Sequence, residues 1–285
     1  MTAPKFCVFI LSHGRAEQVK TVRALHRAGY TGKIIFVIDD EDTQGDAYRK
    51  NFPHVEVFNK AAIASTFNLG DNFTYNKVSV YARNACFEIA KKLNYTYFIQ
   101  LDDDYLNFDY RVYEEGIGPK PISNLDRVFD VLLTLYQSIP AESLALAQGG
   151  DYIGGKENQT ATKPTLSRKC MNSFICSTER RFHFIGRLNE DVNTYVHGGS
   201  IGKLFFTVPF CSLTQVGTQS SAGGLSEVYR EQGTYVKSFY SVMYHPSSVT
   251  IRPMGDTHRR LHHHVKWKHT TPRILSEKVR LKSTL

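Results

Sequence analysis

Residues 98–105 form an apolar run that ends in three consecutive carboxylates, Phe-Ile-Gln-Leu-Asp-Asp-Asp-Tyr. Side chains alternate faces along a strand, so Asp102 and Asp104 are expected to point one way and Asp103 the other. Adjacent carboxylates repel one another and are best tolerated beside a cation. Mg²⁺ and Mn²⁺ prefer oxygen ligands, which they commonly take from one or two carboxylates and a substrate's phosphates. The segment therefore predicts a metal and phosphate site at a strand end. An acidic loop after a core strand would give the same sequence pattern.

Strands and helices alternate in the first 110 residues. Runs and periodic spacing of apolar residues predict strands at 6–11, 33–38, 55–58 and 97–101, and helices at 16–28, 42–51 and 79–93. This order favours an α/β fold with a mostly parallel, doubly wound sheet flanked by helices. Right-handed crossovers would bring the carboxyl ends of the strands to one edge, where ligands bind.

The second half has a looser pattern. A helix is predicted at 125–139, and 168–184 is predicted to form antiparallel strands on the acceptor side. We expect a single domain over 1–285, divided into an N-terminal half (1–110), a second half (111–251) and a basic, histidine-rich segment (252–285).

Polar side chains follow other predicted strands too. Ser12 and Arg15 come after the first strand, Asp39 and Asp40 end the second, and the helix at 79–93 carries Arg83. A carboxylate can accept from a ribose hydroxyl or a base N–H, and an arginine can pair with phosphate. Surface ion pairs would explain the same residues. We predict that these five residues, with Asp103, bind a nucleotide.

A second acidic motif, Asn189-Glu190-Asp191-Val192, lies downstream. Asn189 is a plausible helix cap, with both carboxylates in the first turn, and capping alone would account for the motif. The functional alternative is that one carboxylate deprotonates an acceptor hydroxyl.

Positive charge is concentrated at the C-terminal end. Residues 252–285 contain nine Lys or Arg and two Asp or Glu, a net +7 of the chain's +8, and five of its eleven histidines. Such a segment favours a polyanionic partner such as nucleic acid. A solvated terminal helix, or one that only holds a diphosphate, is the alternative. In the second half, arginines and aromatic residues suited to phosphate contact and base stacking are Tyr152, Arg168, Phe174, Arg180, Arg181 and Phe182. The same residues could equally be strand residues that pack a core.

Composition excludes several classes of protein. No apolar run approaches the ~20 residues that span a bilayer, and the N-terminus shows no cleavable signal pattern. The five cysteines are widely spaced and lack a C-x-x-C, which favours reduced thiols and a cytoplasmic location. No P-loop, G-x-G-x-x-G, H-E-x-x-H or G-x-S-x-G motif is present.

The order of the motifs resembles a known family. Ser-His-Gly-Arg, Ile-Asp-Asp-Glu-Asp, Ala-Arg-Asn-Ala, Leu-Asp-Asp-Asp-Tyr, Asn-Glu-Asp-Val and Trp-Lys-His-Thr-Thr-Pro-Arg-Ile-Leu follow one another along the chain. This order is similar to that of the phage TET-associated glycosyltransferases, which are GT-A type enzymes. The resemblance implies a GT-A-like fold, a UDP-sugar donor, Mn²⁺ or Mg²⁺, and sugar transfer to the hydroxymethyl group of a modified pyrimidine in DNA, such as 5-hydroxymethylcytosine. Arabinose, which some T4-like phages attach to that base, is a candidate sugar.

The resemblance also implies roles for individual residues. In metal-dependent GT-A enzymes a D-x-D binds the metal and a His-then-Lys-x-Trp region closes the site, which points to Asp102, Asp104 and either His262 or His263. Inverting GT-A enzymes keep their base in a downstream acidic pair, which points to Asp191, with Glu190 as its neighbour or substitute. We therefore expect a metal-dependent, inverting transferase that acts on DNA in the cytoplasm (of the host cell if phage-encoded) and has no membrane partner.

Three alternatives remain open at this point. The same enzyme class could use a protein, a glycan or a lipopolysaccharide core as acceptor. A nucleotidyltransferase also uses an Asp-rich strand end, but the Ser12–Arg15 loop lacks the lysine and the length of that class's phosphate loop. A non-catalytic DNA-binding module is the third, and the intact Asp102, Asp104 and Asp191 argue against it.

Overall fold

The computed structural model describes residues 5–111, 119–152, 158, 165–216, 233, 235–255 and 259–273. These residues include a nine-stranded mixed sheet in the order β3-β2-β1-β4-β8-β7-β9-β5-β6. Its strands are β1 (Phe6–Leu11), β2 (Ile34–Asp39), β3 (Val55–Phe58), β4 (Tyr97–Asp102), β5 (Tyr105–Tyr110), β6 (Lys120–Pro121), β7 (Ala141–Gln148), β8 (Phe174–Ser177) and β9 (Leu204–Gln215). The β3-β2-β1-β4 block and the β7-β9 pair are parallel, and the other pairs are antiparallel.

Helices cover both faces of this sheet. They are α1 (Thr21–Arg27), α2 (Gly45–Asn51), α3 (Lys60–Ala64), α4 (Ser79–Lys92), α5 (Leu125–Ser138), α6 (Glu190–Ser200), α7 (Val236–Tyr244) and α8 (Trp267–Thr270). Along β1, Val8 and Ile10 pack into the core beneath α1 and α5, whereas Cys7 and Phe9 pack into the core beneath α4 and α6. Burial on both faces explains why the central strands are continuous apolar runs, and the predicted α/β fold class is confirmed.

Helix α1 begins later than predicted. The sequence pattern predicted that this helix begins at Ala16, but the helical residues begin at Thr21. The backbone N–H groups of Lys20 and Thr21 both donate to the carbonyl oxygen of Asp103, 2.8 and 3.2 Å away. The turn of three carboxylates therefore fixes where α1 begins, a long-range contact that periodicity does not reveal.

The predicted strands at 168–184 are mostly wrong. Only Phe174–Ser177 forms a strand there, antiparallel to β4 and β7. The segment around it makes loop hydrogen bonds, such as that from the N–H of Phe184 to the side chain of Asn84.

The described part of the C-terminal segment folds back onto α6. Strands β10 (Val249–Met254) and β11 (Arg260–Val265) form an antiparallel hairpin, and α8 follows. The ring of Trp267 stacks on Tyr195 of α6, with 5.7 Å between centroids and 17° between planes. Residues 256–258 and 274–285 of the predicted basic segment lie outside the described residues.

No helix in the described ranges has both the length and the apolar character needed to cross a bilayer.

The contact between α6 and α8 depends on a glycine. A Cβ atom at Gly199 would overlap the backbone carbonyl of Thr270. We expect Gly199→Ala to push α8 away from α6 and to lower the free energy of unfolding by about 1–3 kcal/mol, measured by urea denaturation. Gly45→Ala, at the start of α2, is the control, because its Cβ would lie at ordinary van der Waals distances from Arg49 and Ile38. Equal stability of the two variants would contradict this packing.

Candidate functional site

The parallel strands β1, β2 and β4 end side by side at one edge of the sheet. Leu11 at the end of β1 is in register with Asp102 at the end of β4. The polar residues that follow these strands therefore meet at this edge, as the sequence predicted.

Asp103 binds the loop that follows β1. Its carboxylate accepts hydrogen bonds from the hydroxyl of Ser12 at 2.5 Å and from the guanidinium of Arg15 at 3.1 Å. Ser12 also contacts the hydroxyl of Tyr48 at 2.6 Å. The predicted donor-side residues Ser12, Arg15 and Asp103 are thus brought together, with Asp103 turned away from Asp102.

Asp39 forms a second polar group on this side. Its carboxylate contacts the Nδ1 atom of His13 at 2.7 Å and the Nζ atom of Lys60 at 2.7 Å. Burial alone would raise the pKa of Asp39, but the hydrogen bonds from His13 and Lys60 outweigh it and lower the pKa. Asp39 therefore stays ionised and can accept from a ribose or base.

Asp40 has a different neighbourhood from Asp39. Its oxygens accept from the Lys60 backbone N–H at 2.9 Å and the Asn59 side chain at 2.6 Å, at the start of α3. Lys60 was missed by sequence reasoning. Its position directly after β3, at the same sheet edge, was the available signal.

Asp102 and Asp104 carry carboxylates whose ionisation is unfavourable. Burial raises the pKa of Asp102, and the charges of Glu190 and Asp103 add to this against the opposing Arg83. Burial and the charges of Asp102 and Asp103 raise the pKa of Asp104 to about 7. Carboxylates that are crowded together and resist ionisation fit a divalent cation, because its charge would offset the repulsion between them.

Arg83 joins the carboxylate turn to helix α6. It lies fully inside the protein, where its Nε donates to Glu190 at 2.9 Å and its Nη2 to Asp102 at 3.0 Å. The rings of Phe174 and Phe184 lie 5.1 and 5.8 Å from the guanidinium carbon. Arg83 was predicted to bind nucleotide. In the structure it instead holds two carboxylates.

Glu190 and Asp191 lie in the first turn of α6, as predicted, and differ in environment. Glu190 accepts from Ser79 at 2.6 Å as well as from Arg83. Asp191 is buried, and its Oδ1 atom accepts from the Val192 N–H at 2.7 Å. Burial and the charge of Glu190 raise the pKa of Asp191 to about 6. Asp191 therefore has the pKa expected of a general base near neutral pH.

The predicted capping role of the Asn189 side chain is wrong. Asn189 has a left-handed backbone, with φ of 59°, and its side chain makes no cap hydrogen bond. The side-chain amide instead donates to the hydroxyl of Ser241 at 2.7 Å and lies 3.2 Å from the Nδ1 atom of His263.

Of the histidines in the C-terminal segment, His263 lies beside Asn189. His262 and His263 are on β11, and the Nδ1 atom of His262 contacts the His263 carbonyl at 2.8 Å. Burial, then His262 and nearby lysines, lowers the pKa of His263 to about 3, so this ring is neutral. Within the described chain neither ring hydrogen-bonds to Asp102 or Asp104, and no three His, Cys, Asp or Glu side chains form a ready metal cluster. The histidine ligand thus stays a prediction.

Several residues predicted to contact DNA are core residues. Phe174 and Phe182 are buried in the core beneath α4, so for these two the alternative of core packing is the one observed. Arg180 donates to three backbone carbonyls, those of Tyr136, Ile139 and Ala141, and is also structural.

Comparison with known proteins identifies a family. The family model described as TET-Associated Glycosyltransferase matches residues 6–224. No curated protein matched the chain.

Two similar solved structures are of glucosyl-3-phosphoglycerate synthase from Mycobacterium tuberculosis. The complex with Mn²⁺, UDP and phosphoglyceric acid has a TM-score of 0.46 and 8% identity, over 92% of this chain and 87% of that one. The complex with Mn²⁺, UDP and glucosyl-3-phosphoglycerate has a TM-score of 0.45 and 10% identity, over 92% and 88%.

The buried Arg83 should dominate local stability. We expect Arg83→Met to lower the free energy of unfolding by about 3–5 kcal/mol, because it leaves the buried Glu190 and the partly buried Asp102 without their cation. Urea denaturation measures the change. Arg49→Met, which removes an exposed ion pair with Asp46, is expected to cost less than ~1 kcal/mol. Similar losses for both variants would refute the bridging role.

The raised pKa of Asp191 predicts that the ionised side chain, which activity would require, lowers the stability of the fold. Its pKa lies above the usual 3.8, so the folded state binds this proton more tightly and ionised Asp191 destabilises the fold. That cost is absent well below pH 3.8, grows as the pH rises, and is complete above about pH 6. Asp191→Asn should therefore stabilise the protein by about 1–3 kcal/mol at pH 7.5.

The gain should shrink as the pH approaches 4, when urea unfolding is repeated across that range. Asp46→Asn, at a fully exposed carboxylate, is the control and should show no such trend. A destabilised Asp191→Asn at pH 7.5 would contradict the assignment.

Proposed function

Because the chain belongs to the TET-associated glycosyltransferase family, and is thus a glycosyltransferase, we propose that it moves a sugar from a UDP-sugar to DNA. The acceptor we propose is the hydroxymethyl group of a modified pyrimidine, 5-hydroxymethylcytosine, and arabinose is the first sugar to test. The proposed setting is the cytoplasm, that of the host cell if the gene is phage-borne, with no membrane partner.

One observation carries this proposal. A single buried guanidinium, that of Arg83, binds both Asp102 at the end of β4 and Glu190 at the start of α6. The carboxylate turn suited to a metal and a diphosphate is thereby held beside the acidic pair that contains Asp191. A sugar-transfer site needs both groups around one anomeric carbon.

The donor side would bind the nucleotide. Asp39, kept ionised by His13 and Lys60, can accept from ribose or base donors. Arg15, ordered by Asp103, supplies positive charge for phosphate. Ser12 and Asp40 organise the same loops, and their proposed contribution is positional.

The metal side fits Mn²⁺ or Mg²⁺. Asp102 and Asp104 would hold the ion, and the diphosphate oxygens would complete its ligands. A bound divalent ion supplies positive charge where the nucleoside diphosphate departs. His262 or His263 remains a proposed additional ligand.

Asp191 is the proposed base. Glu190 already accepts hydrogen bonds from Arg83 and Ser79, whereas the raised pKa of Asp191 suits proton transfer. Asp191 takes the proton of the acceptor hydroxyl as its oxygen bonds to the anomeric carbon. The bond from that carbon to the diphosphate breaks, and the electron pair leaves with UDP. Attack opposite the leaving group inverts the anomeric configuration.

Positive charge around the base supports a DNA acceptor. Lys237 on α7 lies within electrostatic reach of Asp191, Glu190 and Arg260. Lys169 acts in turn on His262 and His263. Phosphates of a DNA strand would neutralise these charges, and the hydroxymethyl group could be reached in the major groove or on a flipped base.

The proposal is tested by transfer onto duplex DNA that contains 5-hydroxymethylcytosine. The reaction contains Mn²⁺ and one of a panel of UDP-sugars, and mass spectrometry of the digested nucleosides reports the product. We expect a pentose or hexose mass on the modified base. Below about pH 6, kcat/KM should fall about tenfold per pH unit, because Asp191 must be ionised.

Variants separate the base from the fold. Asp191→Asn should reduce kcat about 10²–10⁴-fold, while Asp46→Asn should keep wild-type turnover. Near-wild-type turnover of a folded Asp191→Asn protein would refute the base. Metal-dependent hydrolysis of one UDP-sugar without transfer to DNA would move the acceptor to a protein, glycan or lipopolysaccharide.

A further inference from the structure

Arg168 is a buried cation with unused hydrogen-bond donors. Its side chain is 3% exposed. Within the described residues, none of its three guanidinium nitrogens has a hydrogen-bond partner. A buried donor left unpaired destabilises a protein substantially, and a charged one more so. Such a group marks a position where a ligand can supply the missing acceptor.

The immediate surroundings of Arg168 carry excess positive charge. Its Nη2 atom lies 3.6 Å from one oxygen of Asp151, and the Nζ atom of Lys169 lies 3.7 Å from the other. Both distances exceed a good hydrogen bond. The first oxygen already accepts from the Gln148 N–H at 2.9 Å. Two cations thus share one partly occupied carboxylate, and an anion would balance the remaining charge.

The position of this pair connects it to the proposed base. Asp151 and Asp191 both lie within electrostatic reach of the Tyr195 hydroxyl on α6. Lys169 lies within electrostatic reach of His262 and His263 on β11. The pair therefore lies on the α6 and β11 side of the site, away from the Asp39 group on the donor side.

We propose that Arg168 and Lys169 form an anion subsite that holds a backbone phosphate of the acceptor strand next to the modified nucleotide. This inference rests on the proposed function. A guanidinium matches two phosphate oxygens at once, and Lys169, partly exposed, adds a second charge. Contacts of this kind position the strand and carry no sequence information.

The test compares Arg168→Gln, Arg168→Lys and the control Arg49→Gln, which removes an exposed arginine on α2. Binding to duplex DNA containing 5-hydroxymethylcytosine is measured by anisotropy from low to high NaCl, and UDP binding by calorimetry. For Arg168→Gln we expect the slope of log affinity against log salt to shrink by about 0.9, the value of one phosphate contact. KM for DNA should rise roughly tenfold while KM for UDP-sugar is unchanged. Arg168→Lys should restore the salt slope.

Stability distinguishes a ligand site from a structural arginine. Because its donors are unpaired, Arg168→Gln should unfold at the wild-type temperature or above. A clear loss of stability with unchanged DNA binding would overturn the subsite. Weaker UDP binding with unchanged DNA binding would assign the phosphate to the donor and overturn the acceptor role.

Inorganic phosphate separates failure of this inference from failure of the proposed function. If wild-type protein does not bind the DNA, phosphate is titrated in thermal unfolding. Stabilisation of wild type but not of Arg168→Gln would keep the anion subsite and reject DNA as its source. Equal stabilisation of both would overturn the subsite itself.

Discussion

The guanidinium of Arg83 ties together two parts of the chain that carry the chemistry. It bonds to Asp102, 19 positions away, and to Glu190, 107 positions away. Without this cation, the buried Glu190 and the partly buried Asp102 would repel each other in surroundings that screen charge less than water does. The backbone carbonyl of Arg83 also accepts a hydrogen bond from the buried Gln100 side chain on β4. Helix α4 is thereby fixed to β4, and the acidic start of α6 can be buried against the sheet.

The same interaction divides the roles of the acidic pair. Glu190 is occupied by Arg83 and Ser79. Asp191 is buried, and its burial together with the charge of Glu190 raises the pKa of Asp191 to about 6. The adjacent acidic residues Glu190 and Asp191 thus differ in their environments, because Arg83 binds Glu190. This contact cannot be read from the Asn-Glu-Asp-Val motif itself, which explains why the sequence left Glu190 as an alternative base.

The sequence predicted the structure best for the strands that are buried on both faces. Strands β1 and β2 are buried on both faces, so their apolar runs located them to within a residue, and the polar residues at their ends could be assigned to one edge. Prediction failed where a distant group decided the local structure. The carbonyl of Asp103 sets the start of α1. Three carbonyls hold Arg180, for which the sequence could not decide between DNA contact and core packing.

The structure also identifies groups that carry positive charge on the proposed acceptor side. A net positive tail would attract any polyanion, but His263 within it adds no charge, because burial, His262 and nearby lysines lower the pKa of His263 to about 3. Arg83 and Lys237 are the cations within electrostatic reach of Asp191. Arg260 lies within reach of Lys237, and Lys169 lies within reach of His262 and His263. Since the lysines and Arg260 lie on separate elements, namely α7, β11 and the loop before β8, an extended anion would satisfy them together better than a small one would. A nucleic-acid strand has that extent, and a single diphosphate does not.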